Sequence, residues 1–168
     1  FDKYLTRPVN TLIQVMAEKL QIDALGELIV GIALVSVTIP QLNIEWSVIK
    51  VLLAFIAIIF ATFIYTGIKT ITASVAFWVK RSGNVIYMFY MVSDFAKYPV
   101  AIYNDVIRNV ITYIIPFALA AYYPALYILT GENPLFNVGM TVVAAVVLMA
   151  AGIFVWHKGI RAYESAGS

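Results

Sequence analysis

The sequence predicts an all-α integral membrane protein. The 168-residue chain is 62% hydrophobic and only 12% charged, with a mean hydropathy of +0.90, whereas a soluble domain has about 25% charged residues. It also contains apolar stretches close to the roughly 20 residues that a helix needs to cross a bilayer. We expect four transmembrane helices, amphipathic helices on the cytoplasmic side and a short re-entrant helix on the outer side.

The predicted crossings cover about residues 22–40, 48–70, 106–123 and 135–156. The second crossing is broken only by Lys50, whose ammonium group we expect to reach the lipid headgroups while its stem stays in apolar surroundings. Because small and β-branched residues follow Lys69, this helix can continue toward Trp78.

The first 20 residues are predicted to form a cytoplasmic segment ahead of a single transmembrane domain at residues 21–168. Apolar residues recur there at close to the helical repeat, which predicts an amphipathic surface helix that is broken or begins at Pro8. The pattern leaves open whether this helix docks a partner protein or lies alone at the interface. Its apolar positions are Leu5, Val9, Leu12, Ile13, Met16 and Leu20.

A second surface segment is predicted from Phe77 to Lys97. It mixes charged residues with aromatic and aliphatic ones, and its uncharged apolar run at residues 85–92 is too short to cross a membrane. Residues 82–84 read Ser-Gly-Asn and predict a turn or a helix start. We therefore expect this segment to lie at the membrane surface.

The third predicted crossing contains Pro116 in its interior. A proline there removes one backbone donor and clashes with the preceding turn, so we expect a kink near Thr112. The Thr112 hydroxyl is expected to bond to the carbonyl that the proline leaves free. The sequence leaves open whether the kink is a hinge or only a shape that packs.

A short apolar helix follows, from Tyr123 to Gly131. Pro124 near its start and Gly131 just past its end show the usual asymmetry of a short helix. It is too short to span, so we expect it to dip into the outer leaflet, with an exit turn at residues 132–134. The last crossing offers small residues for close helix contact, namely Gly139, Ala144, Ala145, Ala150, Ala151 and Gly152.

Basic residues predict the orientation of the chain. The loops at residues 41–46 and 122–135 contain no Lys or Arg, and cytoplasmic loops carry an excess of these residues. Both ends of the chain are therefore expected to be cytoplasmic, which agrees with an even number of crossings. The opposite face collects Lys3, Arg7, Lys19, Lys80, Arg81, Lys97, Lys158 and Arg161.

The sequence offers little catalytic chemistry. It has no cysteine, and its single histidine, His157, has no second histidine or cysteine with which to share a metal ion. Asp23 and Glu27 lie one helical turn apart near a membrane boundary, where a solvated helix end explains them more simply than a proton relay. The phosphate-binding GxxxxGK[ST] loop is absent, and so is the basic stripe that nucleic acid requires.

Several spaced motifs resemble those of one transporter family, the membrane subunits of ATP-binding-cassette type-2 exporters, in the subfamily of small six-helix bacterial permeases. The opening residues, Asp2 to Pro8, are similar to the Leu-x-Arg-Pro segment that follows the second span in that family. The other matching residues are Phe77, Trp78, Arg81, Ser82 and Gly83, then Asp94, Tyr98 and Pro99, then Arg108, Thr112 and Pro116, and last Tyr122, Tyr123, Pro124 and Ala125.

This resemblance implies a permease subunit of an ATP-driven exporter in the bacterial cell (inner) membrane. The permease would form a homodimer or a heterodimer with a related chain and bind separate ATPase subunits. ATP and magnesium would be bound by those ATPases and no cofactor by this chain. The family's permeases have about six helices, so we expect about two spans ahead of Phe1.

The sequence leaves the function, the cargo and the role of the tyrosines open. The alternative function is an ATPase-independent secondary carrier or a small membrane enzyme. The sparse charge along the predicted path favours a lipid-like or hydrophobic cargo, and the tyrosines fit either a gate or interfacial anchors.

The resemblance also implies two sets of site residues. The ATPase-coupling residues are Tyr4, Leu5, Arg7, Pro8 and Leu12, and those of the translocation path or outer gate are Thr112, Pro116, Phe117, Tyr122, Tyr123 and Pro124.

Overall fold

The regular secondary structure of the chain is helical throughout the part described, which confirms the predicted all-α class. The chain divides into two compact units, one within Phe1–Glu45 and the other within Trp46–Tyr163. The predicted domain boundary near residue 20 stays a prediction. The computed structural model describes residues 4, 6, 8–17, 22–79, 87–88 and 91–162.

The first unit contains a short helix, α1 (Thr11–Ala17), and a long one, α2 (Ile22–Thr38). Asn10 caps α1, because its side-chain Oδ1 accepts a hydrogen bond from the Leu12 backbone N–H at 2.9 Å. A proline-containing 3₁₀ turn, Ile39–Gln41, ends α2.

The hydroxyl groups of α2 bond to the helix itself. Ser36 Oγ donates to the Ile32 carbonyl at 2.7 Å. Thr38 Oγ1 donates to the Leu34 carbonyl, also at 2.7 Å. Polar groups in lipid must be satisfied within the protein, so these bonds suit an apolar environment. Ala24–Gln41 is long and apolar enough to cross a membrane, as predicted for the first crossing.

The second unit is built around two long helices, with shorter helices between them. Ser47 caps the first long helix by accepting a hydrogen bond from the Lys50 backbone N–H at 3.1 Å. The helices of this unit include α3 (Val48–Ser74), α4 (Asp105–Asn109), α5 (Phe117–Ala120), α6 (Tyr122–Thr130) and α7 (Met140–Ala162). They are extended or joined by 3₁₀ turns at Val75–Phe77, Asp94–Lys97 and Val100–Ile102 and by π-helical stretches at Val110–Ile114 and Leu135–Gly139.

Two helices of this unit, with their extensions, are long and apolar enough to cross a membrane. They are Val48–Phe77 and Leu135–Ala162. The first passes Lys69, as expected from the sequence. The predicted crossing at residues 106–123 has no continuous helix, so a fourth crossing stays a prediction. Part of the predicted surface segment Phe77–Lys97, namely residues 80–86 and 89–90, lies outside the described residues.

Glycines bring α3 and α7 into backbone contact along the most extensive helix pair of the unit. A Cβ atom added at Gly67 would lie 2.8 Å from the backbone carbon of Leu148. One added at Gly152 would lie 3.2 Å from the Gly67 carbonyl oxygen, and Gly159 faces the ring of Phe77 in the same way. Small residues let membrane helices approach closely, and the contact predicted for Gly152 is confirmed.

Hydroxyl side chains lie buried on α3 without leaving their hydrogen bonds unmet. Thr70 Oγ1 donates to the Thr66 carbonyl at 2.8 Å, and Ser74 Oγ donates to the Thr70 carbonyl at 2.7 Å. A Cβ atom at Gly152 would lie 3.3 Å from the Thr70 Cβ. Because each of these hydroxyls bonds to its own helix, α3 can place small polar residues against α7 without leaving a hydroxyl unpaired.

The core of the second unit forms where α5 packs against α3 and α7. Phe117 places its ring centroid 5.3 Å from that of Tyr65. Thr141 of α7 is fully buried, and its Oγ1 donates to the Leu119 carbonyl at 2.6 Å, which ties α5 to α7. The buried apolar residues of this core are Ile64, Ile68, Phe117, Leu119, Ala120 and Ala145.

The glycine contact predicts a steric effect at Gly67. The Gly67→Ala variant should unfold more easily by about 1–3 kcal/mol, since the added methyl group overlaps the α7 backbone. Gly31→Ala on α2 is the matched control, because a Cβ atom there meets nothing within 4 Å. Denaturant unfolding in detergent measures both variants, and equal stability of the two would contradict the close packing of α3 on α7.

The bond between α5 and α7 predicts a smaller effect at Thr141. The Thr141→Val variant keeps the shape of the side chain and should lose about 1 kcal/mol of unfolding free energy with the bond to Leu119. Thr62→Val serves as the control, because the exposed Thr62 hydroxyl bonds only to its own helix at Ile58. A Thr141→Val loss no larger than that of the control would show that this bond does not hold α5 in place.

Candidate functional site

The residues predicted to form the outer gate lie on an interrupted stretch, residues 110–130, which we call the broken segment. It starts as the π-helical stretch Val110–Ile114, in which the Ile115 N–H bonds to the carbonyl five residues back at 2.8 Å. A further break at Ala121, with φ −127 and ψ −61, separates α5 from α6. Single-turn π-helical stretches are often found at functional sites.

Pro116 breaks the helix more sharply than the expected kink. Its backbone has φ −73 and ψ 52, and the Phe117 N–H donates to the Ile115 carbonyl at 2.6 Å. These values define an inverse γ-turn. A proline has no N–H, so the helical ladder cannot continue through this position, and the chain turns sharply here.

The side chain of Thr112 is buried beside this turn. It is 1% exposed, and its Oγ1 has no hydrogen-bond partner. The expectation that this hydroxyl would bond to the carbonyl freed by Pro116 is therefore wrong. A buried hydroxyl without a partner costs about 1–3 kcal/mol, so the broken segment contains a locally unfavourable polar group.

The two tyrosines of the predicted gate are half-buried and join separate parts of the second unit. The ring centroids of Tyr122 and Tyr123 lie 5.3 Å apart, edge to face. Tyr123 also lies 5.2 Å from the ring of Phe136, in the stretch that leads into α7. Pro124 is buried behind them. The geometry fits both a gate and an interfacial anchor, so both interpretations stay predictions.

The end of α6 has the predicted form. Gly131 adopts a left-handed conformation with φ 74, and its N–H donates to the Tyr127 carbonyl at 2.7 Å. Asn133 also has a positive φ of 46. The side chain of Asn137 donates to the Glu132 carbonyl at 2.8 Å and closes the turn that leads to α7.

Lys50 lies against this end of α6. The residue is only 8% exposed, and its Nζ lies 3.5 Å from the position that a Cβ atom would take at Gly131. No carboxylate in the described part of the second unit forms an ion pair with it. The side chain thus lies against the end of α6, and the expectation that its ammonium group reaches the lipid headgroups stays a prediction. The partial negative charge at a helix C-terminus stabilises a cation there.

An apolar groove of about 460 Å³ lies between α3 and the helices α5 and α6. We call it the alanine groove, because more than half of its lining residues are alanine. A pair of alanines four residues apart lies on each wall, at positions 57 and 61 and at positions 121 and 125, and this spacing is a sequence signal that could have located the groove. The groove is lined by Ala54, Ala57, Ile58, Ala61, Thr62 and Tyr65 of α3 and by Ala120, Ala121, Pro124, Ala125 and Ile128 opposite.

The predicted ATPase-coupling residues fall in the first unit. Leu5 and Arg7 lie outside the described residues. The structure describes the other three: Tyr4 is 9% exposed, Pro8 is exposed, and Leu12 is half-buried in α1. The helix begins at Thr11, after Pro8, which agrees with the predicted break there. No feature of this unit tests the predicted contact with an ATPase.

Gln14 holds the residues before α1 against that helix. Its Nε2 donates to the Tyr4 carbonyl at 3.3 Å and to the Val9 carbonyl at 2.6 Å. These two bonds tie the described residues Tyr4 and Val9 to α1.

Two side chains near the end of α7, His157 and Lys158, contact residues of the same helix. His157 Nδ1 lies 2.7 Å from the Ile153 carbonyl, and Lys158 Nζ lies 4.7 Å from the centroid of the Phe154 ring. Throughout the described ranges, no three acidic or histidine side chains are grouped closely enough to hold a metal ion.

The comparisons with known proteins identify the family of this chain. A family model described as "ABC-2 family transporter protein" matches residues 1–167. No curated protein and no solved structure gives a significant match. The family match covers both units, and the long apolar helices agree with a multi-pass transmembrane protein. The chain therefore belongs to the ABC-2 family of transporter proteins and is a membrane transport protein.

Proposed function

We propose that this chain is the permease subunit of an ATP-binding-cassette exporter. It forms the translocation path and couples that path to ATP hydrolysis by a separate ATPase subunit. The observation that carries this proposal is the family match over residues 1–167. The chain itself is non-catalytic and binds no cofactor, while ATP and magnesium bind to the ATPase.

The proposed arrangement in the membrane rests on the distribution of charged residues and on the four predicted crossings. The permease has four crossings in this chain, lies in the bacterial inner membrane and has both ends in the cytoplasm. The absence of Lys and Arg from residues 41–46 and 122–135 supports this orientation. Two copies, or one copy and a related chain, complete the path.

The broken segment is the part of the permease that moves. The α3–α7 pair is held by backbone contact between Gly67 and Gly152 and is expected to stay rigid. The broken segment has interruptions at Pro116 and Ala121 and an unpaired hydroxyl on Thr112, so its rearrangement disrupts few helical hydrogen bonds. A second arrangement of the segment can supply a partner for the Thr112 hydroxyl.

The coupling segment transmits the movement of the ATPase. Closure of the ATPase subunits on ATP displaces the segment around α1, and the displacement shifts the permease halves relative to each other. The test is co-purification: the full-length protein should bring down an ATPase whose hydrolysis in proteoliposomes depends on this chain. If no ATPase binds and transport proceeds from an ion gradient alone, the chain is a secondary carrier.

Reversal of a charge in the coupling segment should uncouple the complex. We expect Arg7→Glu to lower permease-dependent ATP hydrolysis by more than about tenfold. Reversing the charge of this residue replaces an attraction at the contact with the ATPase by a repulsion, which is strongly unfavourable. Arg161→Glu makes the same change at the exposed end of α7 and should leave hydrolysis unchanged. Normal membrane insertion with wild-type hydrolysis in Arg7→Glu would remove Arg7 from the contact.

Truncation of the tyrosine pair separates a gate from an anchor. Proteoliposomes that contain the double variant Tyr122→Ala with Tyr123→Ala should leak a small dye, since the large rings that exclude water from a narrow apolar opening are removed. Tyr113→Ala is the control, because Tyr113 is 59% exposed on the same segment. A sealed double variant with only reduced thermal stability would assign the tyrosines to anchoring.

A further inference from the structure

We propose that the alanine groove and Lys50 together bind an anionic lipid, with an acyl chain in the groove and the headgroup phosphate on the Lys50 ammonium group. This inference concerns binding and does not depend on the coupling to an ATPase proposed above.

The groove has the shape and chemistry of an acyl-chain site. The α3 wall runs from Ala54 to Tyr65, which at 1.5 Å per residue is about 16 Å long. The short alanine side chains of this wall leave space above it, and Ala125 and Ile128 of α6 form the opposite wall. An apolar trough of this length fits an unbranched hydrocarbon chain better than a compact polar solute.

Lys50 lies just beyond one end of this trough. It precedes Ala54 by one turn of α3, and Gly131 follows Ile128 by three residues at the end of α6. The Lys50 ammonium nitrogen lies next to Gly131 and so bridges the two walls. A cation at the end of an apolar trough matches the polarity of an anionic lipid from headgroup to tail.

The charge of Lys50 is only partly balanced within the protein. A buried ammonium group needs a partner to offset the loss of hydration, and no carboxylate in the described part of the second unit pairs with it. The C-terminus of α6 supplies only about half an elementary charge, which offsets the full positive charge of Lys50 in part. A phosphate oxygen completes the balance.

A neighbouring helix is the competing occupant of the groove. Small residues at four-residue spacing also favour helix packing in membranes, but a helix packed there would leave the charge of Lys50 unmatched unless it brought an acidic side chain. The anionic lipid accounts for the groove and the lysine with one molecule.

The test is the displacement of a fluorescent phosphatidylglycerol from the full-length protein in neutral detergent. We expect Lys50→Gln to raise the Kd by about tenfold, the effect of losing one charged hydrogen bond. Lys50→Arg should retain binding, as should Lys69→Gln, which removes an exposed lysine from the same helix. Unlabelled phosphatidylglycerol should compete about tenfold better than phosphatidylcholine. In phosphatidylcholine the positive choline group already balances the charge of the phosphate.

A second pair of variants tests the groove itself. Ala125→Leu fills the trough from an exposed lining position and should weaken phosphatidylglycerol binding, whereas Ala150→Leu, at an exposed position on α7, should not. This pair decides the question even if Lys50→Gln does not fold. Three results would each overturn the proposal: equal binding by Lys50→Gln and Lys69→Gln, equal competition by phosphatidylcholine, or full displacement by inorganic phosphate.

Discussion

The contact between Gly67 and Gly152 is the interaction on which the second unit depends. Lipid tails are as apolar as leucine side chains, so membrane helices gain little from burying apolar surface and associate through close van der Waals packing. The glycines let the α3 and α7 backbones touch. That approach leaves room beside the pair for α5, whose Leu119 carbonyl reaches Thr141 of α7 and whose Phe117 ring reaches Tyr65 of α3.

This packing divides the unit into a fixed part and a part that is easier to rearrange. The α3–α7 pair is formed by two long helices, and the buried hydroxyls of Thr70 and Ser74 on α3 are satisfied within that helix. The broken segment has a γ-turn at Pro116, a break at Ala121 and an unpaired hydroxyl at Thr112. A transporter needs such an asymmetry, because a change at one site must move one element against another that stays in place.

The sequence predicted features that depend on local composition better than those that depend on contacts between distant residues. Length and apolarity located the long helices, and Gly131 correctly marked the end of α6. The interruption at Pro116 was expected only as a kink, because the depth of a proline break depends on the helices that pack around it. The position of Lys50 depends on α6, some 80 residues further along the chain, and periodicity within α3 contains no information about that contact.

The central claim is that α3 and α7 move as one body while the broken segment moves against them. The chain has no cysteine, so spin labels can be placed at exposed positions such as Phe55 of α3, Val146 of α7 and Leu129 of α6. Distances between labels are then measured by pulsed electron spin resonance in the complex with the proposed ATPase, with and without ATP. We expect the distance from Phe55 to Val146 to stay constant and that from Phe55 to Leu129 to change. A change between Phe55 and Val146, or no change in either distance, would contradict this division of the permease.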